Sequence, residues 1–328
     1  VNRRAVISAI LLAGIPTGCS RKEPEGMRTA HLSGETMGTY YSITCRLPPG
    51  VGSEKIHDGI LSLFAAVDGE LSNWNPESWV SRFNRAGKDE EINCPPHALQ
   101  VLELSMELAR RTDGALDPTV SPLVELWGFG ESPEPQEPPH ESEIRGELAR
   151  CGHGKLDFNS GKRAVSKRVE GMELNLSAVA KGHAVDLVAD FLGQEGIRNH
   201  LVNIGGEVRA TGMREDGGGW LIGVEGLAGR MRMSRGAVAT SGNSQRFITR
   251  NGRRYTHIID PRSGMPVDGK LRSVSVTAPT CALADGLATA CFVLGPEEGL
   301  KLVDSHAEAE ALFLLADGTD VRTAGWGR

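Results

Sequence analysis

At 328 residues the chain is long enough for one large domain or two smaller ones, and length does not choose between them. A hydrophobic content of 39% with 24% charged residues is ordinary for a folded soluble protein, and a net charge of −6 without a sustained basic stripe gives no reason to expect nucleic acid as a partner. The 41 glycines gather in short phrases such as Asn203-Ile204-Gly205-Gly206 and Thr240-Ser241-Gly242, which mark tight turns and not a low-complexity tract.

Two arginines, an apolar run from Ala5 to Ile15 and small residues before Cys19 read as a secretion signal over residues 1–19, too short for a membrane span. The cysteine after Gly18 resembles a lipobox, which implies lipidation of Cys19, although Pro16 stands where leucine is usual. Residues 20–30 would then tether a domain spanning 31–328. Tyr41, Ile43 and Cys45 follow Thr36-Met37-Gly38-Thr39 at strand spacing. Ile56, Ile60, Leu63, Phe64, Val67 and Leu71 recur at helical spacing, and that helix ends near Ser72. Pro95-Pro96 open a second helix, His97 to Arg111, with Gly114 as its stop.

The proline-rich, acidic segment from Glu131 to Glu143 is expected to be an exposed loop. Val179, Val185, Val188, Ala189 and Leu192 predict a helix entered through Ser177. Leu201 to Gly212 reads as a strand broken at Gly205-Gly206, and Trp220 to Val224 as another strand. Asn251-Gly252 predicts a hairpin between Phe247–Arg250 and Tyr255–Asp260, with Tyr255, His257 and Ile259 on one face. A strand over Arg272–Ala278 leads to a helix over Ala282–Leu294, stopped by Gly295-Pro296, and Glu308–Leu315 closes the sheet. Asp285 and Thr289, four apart on that helix, share a face; spacing alone fits either a polar surface or a metal site. Cys45, Cys94, Cys151, Cys281 and Cys291 show no paired spacing, so no disulfide framework is expected.

Several phrases, in order, resemble the ApbE family of flavin transferases: Met37-Gly38-Thr39, LSNWNPESWVSRFN around Trp74, GALDPTVSP, LSAVAKG, NIGGE, ATSGN and THIIDPRSGMP. The resemblance spans roughly Leu32 to Leu315 and implies an α+β fold of T-fold-like architecture, with antiparallel sheets and packed helices. It implies Mg²⁺-dependent transfer of FMN from FAD to a threonine of another protein. Met37, Trp74, Ala115, Leu116, Asp117, Lys181 and His257 would contact FAD, while Ala178, through its carbonyl, Asp285 and Thr289 would hold Mg²⁺. His257 is the candidate base. Asn175 stands where aspartate is common and is given no catalytic role, and Asn243, also in place of an aspartate, keeps a hydrogen-bonding side chain without the charge. FAD pyrophosphatase activity and non-catalytic FAD storage by a lipoprotein are the alternatives. The implied partners are threonine-bearing acceptors, such as extracytoplasmic subunits of membrane redox complexes, met by an exported enzyme lipid-anchored on the periplasmic side of the bacterial envelope.

Overall fold

The computed structural model describes residues 26–130, 135, 137–227, 229–243, 247–250, 252–267 and 269–327. The expected signal segment, Cys19 and most of the tether lie outside them. Eight strands form one antiparallel sheet whose spatial order is their order in the chain: β1 (Arg28–Thr36), β2 (Thr39–Leu47), β3 (His200–Ile204), β4 (Glu207–Thr211), β5 (Arg235–Gly242), β6 (Leu271–Ala278), β7 (Glu310–Leu315) and β8 (Asp320–Arg322). β1 corrects the expected tether boundary, because residues from Arg28 onward pair with β2 and already belong to the sheet. Alternation on β2 is plain, with Tyr41, Ile43 and Cys45 buried while Tyr40 and Ser42 are exposed.

The β2–β3 connection carries α1 (Ser53–Leu71), α2 (Trp79–Arg85), α3 (Pro96–Arg111), α4 (Ser121–Leu126), α5 (Glu141–Leu148) and α6 (Ser177–Gln194). It also holds a small sheet of Ile92–Asn93, Leu156–Asn159 and Ala164–Lys167. The periodic residues Ile56, Ile60, Phe64, Val67 and Leu71 are the buried stripe of α1, each contributing about 1.5–3 kcal/mol by leaving water. α5 takes the last residues of the segment expected to be a loop. Glu143 reaches back to accept a hydrogen bond from the His140 amide at 2.7 Å, which caps a helix that the prolines before it cannot join.

The β6–β7 connection is α7 (Cys281–Asp304), packed against α6 and the sheet. Gly295 adopts φ 78° and breaks the helix where a stop was expected; after this break a second helical stretch starts at Pro296 and runs to Asp304. The first turn of α7 is capped from α6, because Asp186 accepts from the Cys281 and Ala282 amides, both at 2.9 Å. Arg209 of β4 bridges Asp186 at 2.9 Å and Asp190 at 3.0 Å, so residue 209 faces the helices. By strand alternation Val208 and Ala210 face the other way. There they join Trp220, Ile222, Met231 and Trp326 in a second apolar layer, under the hairpin Trp220–Gly223/Arg230–Met233. The five described cysteines are buried free thiols, and burial pushes Cys94, Cys151 and Cys291 up to about 12.

Candidate active site

Sequential antiparallel order places three features at one end of the sheet. Met37-Gly38, at φ 50° and 70°, turns β1 into β2, and Gly205-Gly206, at φ 64° and 111°, turns β3 into β4. The double glycine expected to break a strand is thus a hairpin turn. Thr240 to Gly242 ends β5 alongside. The start of α6, the middle of α7, the loops after α1 and α3, and residues 257–261 close over this end and enclose a cavity of about 900 Å³. All ten described residues expected to bind cofactor or metal lie on its wall: Met37, Trp74, Ala115, Leu116, Asp117, Ala178, Lys181, His257, Asp285 and Thr289.

At the floor, Lys181 joins two acids. Its Nζ lies 2.9 Å from Glu207 Oε1 and 3.6 Å from Asp285 Oδ1. Burial pushes the Asp285 carboxyl up to about 7, with the Lys181 cation opposing and Glu207 adding to the rise. Burial also works against the Lys181 cation, but the charges of Asp285 and Glu207 outweigh it and hold the ammonium above its ordinary range. Thr289, one turn after Asp285, shares a hydrogen bond of 3.0 Å with Ser241.

These oxygens fit Mg²⁺. Among the described residues no group of three or more His, Cys, Asp or Glu side chains could hold a metal, so a cage built of acidic and imidazole ligands is not available. One carboxylate, one hydroxyl and one main-chain carbonyl form a lean set of hard donors, of the kind that shares Mg²⁺ with substrate phosphates. The Gly182 amide, which in a regular helix faces the Ala178 carbonyl, donates to Asp285 Oδ2 at 3.0 Å, drawing that carboxylate against the first turn of α6.

Asp117, also on the cavity wall, is spent on internal bonds. Its Oδ1 accepts from the Thr119 amide at 2.9 Å and hydroxyl at 2.6 Å, and its Oδ2 from the His153 amide at 2.7 Å. Burial would raise its carboxyl, but these donors, with the His153 ring 3.0 Å away, hold it below the usual range. Asp117 therefore shapes the 115–119 loop, which sets Ala115 and Leu116 on the wall.

His257 does not lie on a continuous strand. The hairpin partner of Phe247–Arg250 is Arg253–Thr256, and Ile259–Asp260 pairs instead with Met265–Pro266. The bend arises because the Ile258 carbonyl accepts from the Val267 amide at 2.9 Å and the Thr256 hydroxyl at 3.3 Å, drawing the chain into a second hairpin. His257 consequently meets the cavity at a bend, its ring edge-on to Phe129 at 6.3 Å between centroids. Trp127 braces the segment with its ring tilted against Tyr255, 5.2 Å between centroids, and by donating to the Gly264 carbonyl at 2.8 Å. Trp74 is 60% exposed at the mouth, with its indole available for stacking.

Neither asparagine substituted for aspartate contributes a free side chain. Asn175 Oδ1 accepts from the Ser177 amide and hydroxyl at the start of α6, and Asn243 Nδ2 donates to the Leu271 carbonyl. Glu207 and Ser241 are site residues that the motif reading left out. The available signal for Glu207 was its pairing with Arg209, two charges on one face of a strand whose other face, Val208 and Ala210, is apolar.

A profile of the ApbE family matches residues 37–313. The chain belongs to the ApbE family. It is 36% identical to an FAD:protein FMN transferase of Vibrio cholerae over 321 residues, covering 95% of this chain and 93% of that protein. A protein of the same description from Haemophilus influenzae is 34% identical over 331 residues, covering 96% of this chain and 94% of its own length. The solved flavin transferase ApbE from Vibrio cholerae superposes with a TM-score of 0.84 at 35% identity, covering 90% of this chain and 97% of that one. The ApbE fold is α+β, as the phrase order implied.

Proposed function

We propose that this ApbE-family chain is a Mg²⁺-dependent FAD:protein FMN transferase that moves FMN from FAD to a threonine hydroxyl of a second protein and releases AMP. The observation that carries the reading is the convergence of Asp285, Thr289 and Ala178 with the Lys181 cation in one large cavity, in a chain similar to enzymes named for this transfer. Such a group of oxygens beside a fixed cation suits a diphosphate.

In the proposed step the acceptor hydroxyl oxygen bonds to the FMN-side phosphorus of FAD. The bond from that phosphorus to the bridging oxygen breaks, and AMP leaves with the bridging oxygen. Lys181 supplies fixed positive charge to the diphosphate. Mg²⁺ bound by Asp285, Thr289 and the Ala178 carbonyl would neutralise phosphate charge and align the displacement. His257 takes the proton of the incoming hydroxyl. Trp74 stacks on an aromatic ring of FAD at the mouth.

Purified protein beginning at Ser20 is incubated with FAD and Mg²⁺, with and without a threonine-bearing acceptor domain, and AMP, free FMN and acceptor mass are measured. Transfer requires an FMN-sized mass gain that matches AMP and disappears on chelation. AMP and free FMN formed without acceptor would make the protein a pyrophosphatase, and intact bound FAD throughout would make it a carrier. Near-normal transfer by His257→Ala, with loss in Asp285→Ala, would remove His257 as base and keep the metal site. We further propose that residues 1–19 export the chain and that Cys19 anchors it to the envelope near membrane redox complexes. Incorporation of labelled fatty acid, lost in Cys19→Ser, tests this.

A further inference from the structure

Glu207 opens β4 directly after the Gly205-Gly206 turn, lines the cavity and is 4% exposed. Its Oε1 accepts from Lys181 at 2.9 Å, whereas its Oε2 is buried without a hydrogen-bond partner. A buried carboxylate oxygen left unpaired is costly, so its retention at a cavity wall points to a ligand that completes it. A carboxylate only accepts, so the complementary group is a donor. Phosphate oxygens are excluded from that position by like charge. Gly205, at φ 64°, shapes the turn beside this oxygen: a β-carbon there would press on Thr39 Cγ2 at 2.9 Å and reach ordinary contact with Oε2 at 3.4 Å.

We propose that Glu207 Oε2 accepts a hydrogen bond from a hydroxyl of the reactants next to the diphosphate. The inference rests on the transferase reading, in which such hydroxyls come from two sources: the sugar chains of FAD on either side of the diphosphate, and the threonine of the acceptor. Glu207 then positions a reacting partner, in addition to anchoring Lys181.

Glu207→Gln tests this because Lys181 fixes the amide orientation. The ammonium requires the amide oxygen, which turns the NH₂ group to the place of Oε2 and substitutes a donor for the acceptor. Two arms are read on the purified protein with Mg²⁺: FAD affinity from flavin fluorescence without acceptor, and single-turnover FMN transfer at saturating FAD. FAD affinity weakened at least tenfold assigns the hydroxyl to FAD. Unchanged affinity with transfer slowed at least tenfold assigns it to the acceptor. Wild-type behaviour within twofold in both arms overturns the proposal and leaves Glu207 as an anchor for Lys181, a role in which Glu207→Ala alone is impaired. Wild-type protein that neither binds FAD nor transfers FMN refutes the transferase reading itself, a different outcome from an active wild type matched by Glu207→Gln. A thermal melt checks folding. If Glu207→Gln does not fold, Glu207→Asp, which keeps the charge but withdraws both oxygens by one methylene, is held to the same tenfold threshold.

Discussion

Replacing Gly182 by alanine separates helix propensity from helix packing at the proposed metal site. A β-carbon there would lie 2.3 Å from the Cys281 carbonyl oxygen and 2.7 Å from Ala282 Cα, where ordinary contact begins near 3.4 Å, so α6 and α7 must part by roughly 1 Å. Overpacking of this kind costs about 1–3 kcal/mol. The obstacle is backbone on both sides, which favours the upper half of that range. Alanine returns up to about 1 kcal/mol of helix propensity, so the net loss is about 2 kcal/mol. For a chain of this size that lowers the melting temperature by about 3 °C. The Gly182 amide also holds Asp285 at 3.0 Å, and a displacement of about 1 Å at a reacting centre costs on the order of 100-fold in rate. Gly193→Ala in the same helix is the control, since its β-carbon meets nothing within 4 Å and should stabilise by up to about 1 kcal/mol. Scanning calorimetry and single-turnover transfer read both variants. A Gly182→Ala protein that melts no lower than wild type and transfers FMN normally would refute the close-packing argument.

Three further outcomes are expected. Burial, aided by His97, pushes His183 down to about 4, so between pH 6.5 and 4 the unfolded chain takes up a proton that the fold refuses. Stability is therefore present above pH 6.5 and falls below it, by roughly 3 kcal/mol in total; urea titrations of wild type and His183→Asn should diverge in slope, and parallel profiles would count against this. Mg²⁺ affinity with FAD present should rise from pH 5.5 to 8 as Asp285, pushed up to about 7, surrenders its proton, and a flat profile would remove Asp285 from coordination. Trp74→Ala should weaken FAD binding by about 1 kcal/mol, roughly fivefold, with an unchanged melting temperature because the indole is mostly exposed; full affinity would end the stacking role.

The helices carrying the site were legible because their signals are local. The apolar stripe of α1, the proline at the start of α3 and the Asp285/Thr289 spacing on α7 each need only a few neighbouring residues. β1 was harder to see, since most of Arg28–Thr36 is exposed and carries no apolar alternation. The bend at His257 depends on a long-range choice of strand partner, and the helical stretch after Gly295 depends on packing against Phe313, whose ring would meet a β-carbon at Gly299 at 2.7 Å. Glu207 was visible as a residue but not as a site, because only the folded chain shows which of its oxygens is paired.

The order of strands in the sheet bears on how the molecule is made. β1 with β2, β3 with β4 and β7 with β8 are local hairpins, but joining β2 to β3 closes a loop of residues 48–199, 152 in all. Closing a flexible loop of that length costs about 4 kcal/mol in chain entropy, so this pairing is expected to wait until α1 to α6 have shortened the connection by folding. It is also the pairing that brings Met37-Gly38 alongside Gly205-Gly206, on either side of the pocket floor. Flavin-binding capacity should then emerge in the slowest refolding phase, after most of the helical signal has returned, and stopped-flow flavin fluorescence recorded beside far-ultraviolet dichroism would time the two events.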